Sequence, residues 1–363
     1  MALRTICGLC RPTGLLRHTV TLSKYPLAGR PAVLPRQACL YPGKWAMRHH
    51  SAASTASTVR QSARANSPAA EPAIHNFFEN KTGTWQYVVA DPTTSEAAII
   101  DAVLDYDPAA WEISTASADS LLSFIKRKKY KIVMIMETHA HADHLTAATY
   151  LQARLAQEQG FRPPISIGER IGQVQQVFGE RYGIPADKYR SVFDRLFKDE
   201  ETFHIGNLTA TAMHLPGHTP DHMGYQIEDH VFCGDSIFHA DLGTARCDFP
   251  GGSAENLFTS GRRLLNLPDH TKLWVGHDYP SEERKAPVPY MTVGEHKQKN
   301  KHLKRGIARE EFVALRRARD AQLAAPRLLH PSLQVNIRAG RIPQPPVVSF
   351  PLRLAGWRGV DCI

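Results

Sequence analysis

Short apolar runs that end at polar clusters organise this chain. Ile132-Val133-Met134-Ile135-Met136 is a continuous apolar run of the length of a buried strand. Thr84 to Val89 and Ala97 to Asp101 predict two further short strands, parted by the turn signal Asp91-Pro92. Apolar runs before Asp235 (Val231-Phe232-Cys233) and before His277 (Leu273-Trp274-Val275) predict two more. Between them the period changes. Ser120 to Lys128 reads as an amphipathic helix, with Leu121, Leu122, Phe124 and Ile125 apolar and a basic end that suits the helix dipole. Thr146 to Gln159 reads as a second helix. Strands alternating with helices predict an α/β protein. There is no internal repeat, and no run approaches the roughly 18 apolar residues of a membrane span.

Charge divides the chain. Residues 1–70 hold eight Arg, two Lys and no acid; the first is Glu71. Those ten leave 34 of the 44 Lys and Arg to balance all 35 Asp and Glu. The net charge of +9 therefore belongs to the leader, and the near-neutral body argues against nucleic acid as a partner. An Arg-rich, Ser/Ala-rich, acid-free N-terminus has the composition of a mitochondrial transit peptide, with removal expected between Arg48 and Pro72. After about Pro343 the chain becomes Pro-rich. The expected organisation is a leader at 1–70, one catalytic domain at 71–345 and an irregular tail at 346–363. Three of the six cysteines (Cys7, Cys10, Cys39) fall in the leader, so a disulfide framework is not expected.

The chemistry concentrates at Thr138-His139-Ala140-His141-Ala142-Asp143-His144, directly after the long apolar run. Four possible ligands within six residues at a strand end point to a metal, and imidazole beside carboxylate suits zinc or iron. Partners follow in order: His218 after a Pro-Gly turn, Asp235 after one short strand and His277 after another. Strand ends and their loops are where a scaffold presents catalytic groups.

This ordered set resembles the metallo-β-lactamase superfamily over roughly residues 75 to 345. The resemblance implies a four-layer αββα sandwich, with metal at one edge between two sheets. Within that superfamily, Glu137 to His144, Gly234-Asp235-Ser236-Ile237-Phe238, Ala245-Arg246-Cys247-Asp248-Phe249 and Gly276-His277-Asp278-Tyr279 look like the persulfide dioxygenases. The chain departs from their shorter animal form at Arg162 to Phe203 and at Lys285 to His330.

That resemblance implies one ferrous iron held by His139, His218 and Asp235, an arrangement that leaves positions open for a thiolate and O2. It implies supporting roles for His141, Asp143, His144, His277 and Asp278. Arg246, with Asp248 and Tyr279, becomes the candidate for binding glutathione persulfide, since a guanidinium grips a carboxylate with two hydrogen bonds. The expected products are sulfite and glutathione, in the mitochondrial matrix; a homodimer is a possible assembly. A glyoxalase II-like hydrolase of glutathione thioesters stays open, with two zinc or iron ions, His141, Asp143, His144 and His277 as additional ligands, and Asp235 as the bridge. So does a binding protein without turnover. His204, His214, His222, His239, His270, His296 and His302 belong to no ligand motif and read as ordinary polar or core residues. The basic run Lys297, Lys299, Lys301, Lys304 and Arg305 reads as a solvated helix face.

Overall fold

A computed structural model describes residues 71–348. The leader and all but the first residues of the expected tail lie outside them.

The first half runs β1 (Ala73–Glu79), β2 (Thr84–Ala90), β3 (Glu96–Ile100), β4 (Val103–Asp107), β5 (Glu112–Ser114), α1 (Ala116–Lys128), β6 (Lys131–Met136), β7 (Leu145–Thr146), α2 (Ala148–Gln159), β8 (Ile165–Gly168), α3 (Ile171–Arg181) and β9 (Arg195–Phe197). The second half runs β10 (Thr202–Ile205), β11 (Leu208–His214), β12 (Met223–Ile227), β13 (His230–Phe232), α4 (Ala254–Leu265), β14 (Lys272–Trp274), β15 (Tyr290–Thr292), α5 (Val293–Lys299), α6 (Arg309–Asp320) and α7 (Leu329–Asn336). One six-stranded sheet has the order β1-β2-β3-β6-β8-β9 and the other runs consecutively from β10 to β15. A small third sheet joins β5, β4 and β7.

Side-chain alternation sets the layers. On β2, Tyr87 and Val89 face the second sheet's Phe203, Tyr225 and Phe232, while Val88 and Ala90 turn to the helices with Leu121 and Leu151. Ala98 and Ile100 of β3 follow the first face, Ala97 and Ile99 the second. Strands buried on both faces lose the polar half of the pattern, which is why 132–136 reads as an unbroken apolar run. On the far side of the second sheet, Leu257 and Leu264 of α4 and Phe312 of α6 close the same core. The layers are helices, sheet, sheet, helices: the expected αββα sandwich.

Both predicted helices form with shifted starts. α1 begins at Ala116, four residues before the apolar pattern, because its first turn is short and polar (Ala116-Ser117-Ala118-Asp119). Its last turn carries Lys126, Arg127 and Lys128 and ends on Lys129 in the left-handed conformation. α2 begins at Ala148, since Leu145 and Thr146 pair with β4 first.

The topology brings the site together. β3 and β6 are parallel, as are β13 and β14, so each pair's C-terminal ends lie side by side. Asp101 follows β3 and residues 137–144 follow β6; Asp235 and His277 follow β13 and β14. Trp85 N–H to the Gly276 carbonyl (2.8 Å) and Asp278 N–H to the Gly83 carbonyl (2.9 Å) stitch the two sheets at this edge.

Candidate metal centre

His139, His218 and Asp235 bring one ligand atom each into a single group, and all three are buried. The Asp235 Oδ2 lies 3.6 Å from His218 Nε2 and 4.0 Å from His139 Nε2. Hydrogen bonds fix which nitrogen of each imidazole faces inward. Thr138 Oγ1 donates to Asp101 Oδ2 (2.8 Å), so it accepts from His139 Nδ1 (3.0 Å) and leaves Nε2 bare. His218 Nδ1 donates to the Arg246 carbonyl (2.8 Å), which likewise exposes its Nε2 lone pair. Burial, followed by the neighbouring imidazoles, holds the His139 pKa well below its ordinary value, so the ring stays neutral and able to ligate.

A second group joins His141, Asp143 and His144. His277 Nε2 forms an ion pair with Asp143 Oδ2 at 2.9 Å and lies 3.6 Å from the Asp235 Oδ2. Burial works against the charged imidazole, but Asp143 and Asp235 override it and raise the His277 pKa to about 9. His141 Nε2 sits between Asp101 (3.1 Å) and Glu137 (3.3 Å). Burial again opposes protonation, yet those two carboxylates push the His141 pKa well up.

The donor chemistry fits a metal. His139 Nε2, His141 Nδ1, both His144 nitrogens and Asp235 Oδ1 are buried without a hydrogen-bond partner. Buried polar atoms are normally satisfied, and an orphan costs about 1–3 kcal/mol. These orphans fall in both ligand groups, where binding of metal would give them partners. Glycine makes the approach possible: a Cβ on Gly276 would stand 2.4 Å from Asp235 Oδ1.

Several supporting groups were not legible as such in the sequence. His222, expected to be an ordinary residue, is fully buried and stacks on His139 with ring centres 4.8 Å apart. Its Nε2 accepts the Asp235 N–H at 2.9 Å, and burial keeps it neutral. Asp221 Oδ2 accepts the Ala140 N–H (2.9 Å). Asn336, at the end of α7, donates to the carbonyls of His141 and His144 (2.8 Å each) and accepts from Thr146 N–H (2.9 Å). Asp221-His222 follows His218 by three and four residues, the one local signal that could have pointed to them. Asp278, expected to support the ligands, instead pairs with Arg284 through both oxygens and accepts from Val288 N–H (2.7 Å). It holds the loop after His277.

A cavity of about 470 Å³ opens onto the centre, lined by Asp143, His218, Asp235 and His277 at its buried end. Arg246 and Tyr279 line it, and Asp248 does not. Asp248 forks the Arg246 guanidinium instead, with both contacts at 2.5 Å, while Arg246 Nη1 donates to the Ala324 carbonyl (2.9 Å). Tyr279 stacks on His277 with half its surface exposed. The basic run at 297–305 does not line this cavity; Lys297 pairs with Asp269.

A sequence profile of the Metallo-beta-lactamase superfamily matches residues 80–277. The chain belongs to this superfamily, whose enzymes include metal-dependent hydrolases and dioxygenases. Among individual proteins, it is 44% identical over 277 residues to Glyoxylase B2 of Dictyostelium discoideum, covering 74% of this chain and 91% of that one. It is 43% identical to a probable metallo-hydrolase of Burkholderia pseudomallei, covering 75% and 94%. It is 26% identical to the mitochondrial persulfide dioxygenase of Homo sapiens, covering 74% and 88%. The crystal structure of ETHE1 from Myxococcus xanthus superposes with a TM-score of 0.59 at 24% identity, covering 74% of this chain and all of that one, and supports the fold.

Proposed function

We propose that this protein is a mitochondrial persulfide dioxygenase with one ferrous iron, which converts glutathione persulfide, O2 and water to sulfite and glutathione. The observation that carries the reading is the contrast between the two ligand groups. Asp235 Oδ2 stands 3.6 Å from His218 Nε2 and 4.0 Å from His139 Nε2 with no direct hydrogen bond to either, whereas His277 Nε2 forms a closer ion pair with Asp143 at 2.9 Å. Two imidazoles and one carboxylate are the donor set of non-haem ferrous oxygenases, and iron so held supplies the redox chemistry and open positions. The chain's own groups do the rest. Thr138 and the Arg246 carbonyl hold the two imidazoles in the tautomer that presents Nε2. Ala142 and Phe238 give the cavity an apolar wall beside the ligands. Arg246 and Tyr279 offer polar contacts to the substrate, with Asp248 bracing the guanidinium. The distant persulfide dioxygenase relatives support the reading.

A two-metal hydrolase of glutathione thioesters is favoured by a different observation: Asp235 Oδ2 lies 3.6 Å from both His218 Nε2 and His277 Nε2, the position of a bridge. The nearer relatives carry hydrolase and glyoxylase names. Oxygen uptake and sulfite release with glutathione persulfide, set against hydrolysis of S-lactoylglutathione, separate the two. Residence in mitochondria is proposed from the leader's composition; an intact Met1 terminus on protein from cells contradicts it.

A further inference from the structure

Five cationic side chains line the cavity: Lys81, Arg246, Arg316, Arg319 and Arg327. Two of them are engaged. Arg316 is buried and paired with Asp320, and Arg246 is forked by Asp248. Arg319, Arg327 and Lys81 are exposed, and among the described residues none of the three side chains has an ion pair or hydrogen bond. The cavity's only acids, Asp143 and Asp235, sit in the metal-ligand groups at its buried end. Asp107 feels both Lys81 and Arg327, yet its carboxylate is bonded to the N–H groups of Ala109 and Ala110. Uncompensated like charges around one cavity repel each other, and an anion entering it removes that repulsion.

We propose that Arg319, at the end of α6, and Arg327, in the loop before α7, form an anion anchor at the exposed end of the cavity. It holds a carboxylate of a peptide-sized thiol while the sulfur reaches the buried ligand groups. The proposal rests on the glutathione-conjugate substrate class, which the dioxygenase and hydrolase readings share. The volume is within the range of small-molecule sites, about 300–1,000 Å³. Guanidinium suits the task because it grips carboxylate in a two-point geometry. Both arginines lie in the segment from Lys285 to His330, outside every ligand motif of the chain.

The test is binding, which is independent of turnover. The full chain is titrated calorimetrically with S-methylglutathione, whose blocked sulfur cannot react. The expected result is a Kd that rises about tenfold in Arg319→Gln, about tenfold in Arg327→Gln and further in the double variant, as for loss of charge-assisted hydrogen bonds. The dicarboxylic ester of the same compound should bind the wild type as weakly as the acid binds the double variant, which checks the anchor without any mutation. An unchanged Kd in the double variant, or equal binding of ester and acid, overturns the anchor. So does loss of coenzyme A binding rather than S-methylglutathione binding, since that marks a phosphate site. Should the wild type bind as expected but neither consume oxygen nor cleave a thioester, the activity readings fall and the anchor stands.

Discussion

The Nε2 of His222 accepts the backbone N–H of Asp235 at 2.9 Å. That contact fixes where the carboxylate ligand begins, from a side chain that touches no metal position itself. The same ring stacks on His139, so one neutral imidazole braces two ligands on different sheets. His222→Phe keeps the stacking surface but leaves the Asp235 N–H buried and unpaired. Metal affinity should fall about 10- to 100-fold, the usual cost of losing a supporting group around a metal, while far-ultraviolet circular dichroism stays unchanged. Competition against a chromophoric chelator reads the affinity; an unaltered Kd removes His222 from the site.

Asn336 makes a parallel case from the other end of the chain. It satisfies two carbonyls and one N–H of residues 141–146. Asn336→Leu leaves those groups buried without partners, at about 1–3 kcal/mol for each that water cannot reach. The expected outcome is a lower Tm together with faster metal loss to a chelator, measured by calorimetry with and without metal. A lower Tm with unchanged metal retention would make Asn336 a packing residue only.

How much of this was legible in the sequence follows from where each contact originates. Residues 139–144 announce themselves because four ligands crowd one strand end. The strand 132–136 is readable because burial on both faces erased its polar positions. Asp101, Asn336, Arg316, Arg319 and Arg327 reach the site across long sequence separations, and nothing local marks them. α6 is rich in Arg and Glu; Phe312, Arg316 and Asp320 are its buried residues, and Val313 packs beside them. Asp278 was marked by its adjacency to His277, but its partner Arg284 lies six residues on and was not.

Arg246 supplies a further test. Its carbonyl orients His218 and its guanidinium lines the cavity. Arg246→Ala keeps the carbonyl, so metal content should stay the same while kcat/KM for glutathione persulfide falls about 10- to 150-fold, the equivalent of about 1.5–3 kcal/mol. Arg246→Lys should recover only part of this, since an ammonium cannot reproduce the fork. Activity loss that tracks metal loss would instead assign the side chain to structure.

Acid stability has a local source at Asp91. Its carboxylate accepts from Thr93 N–H (2.8 Å), both threonine hydroxyls (2.7 Å and 2.8 Å) and the Asn207 N–H (2.7 Å), tying the β2–β3 turn to the β10–β11 turn. Burial opposes ionisation, but these donors, Asn207 first, lower its pKa from 3.8 to about 2. A depressed carboxylate stabilises the fold above its unfolded pKa, and that stability is lost as pH falls through the folded value. That contribution is fully present at neutral pH. Asp91→Ala should lose it at pH 7 and show a flatter decline in stability between pH 4 and pH 2. Denaturant melts across that range check both; parallel acid limbs for variant and wild type would contradict the assignment.

Metal content, paired with turnover, bears on the central claim most directly. Protein purified without oxygen should hold one iron per chain, lose it together with activity in His139→Ala, and consume O2 with glutathione persulfide in proportion to bound iron while releasing sulfite. Two metal ions per chain, with thioester hydrolysis and no oxygen uptake, would contradict the dioxygenase account and establish the bridged centre through Asp235.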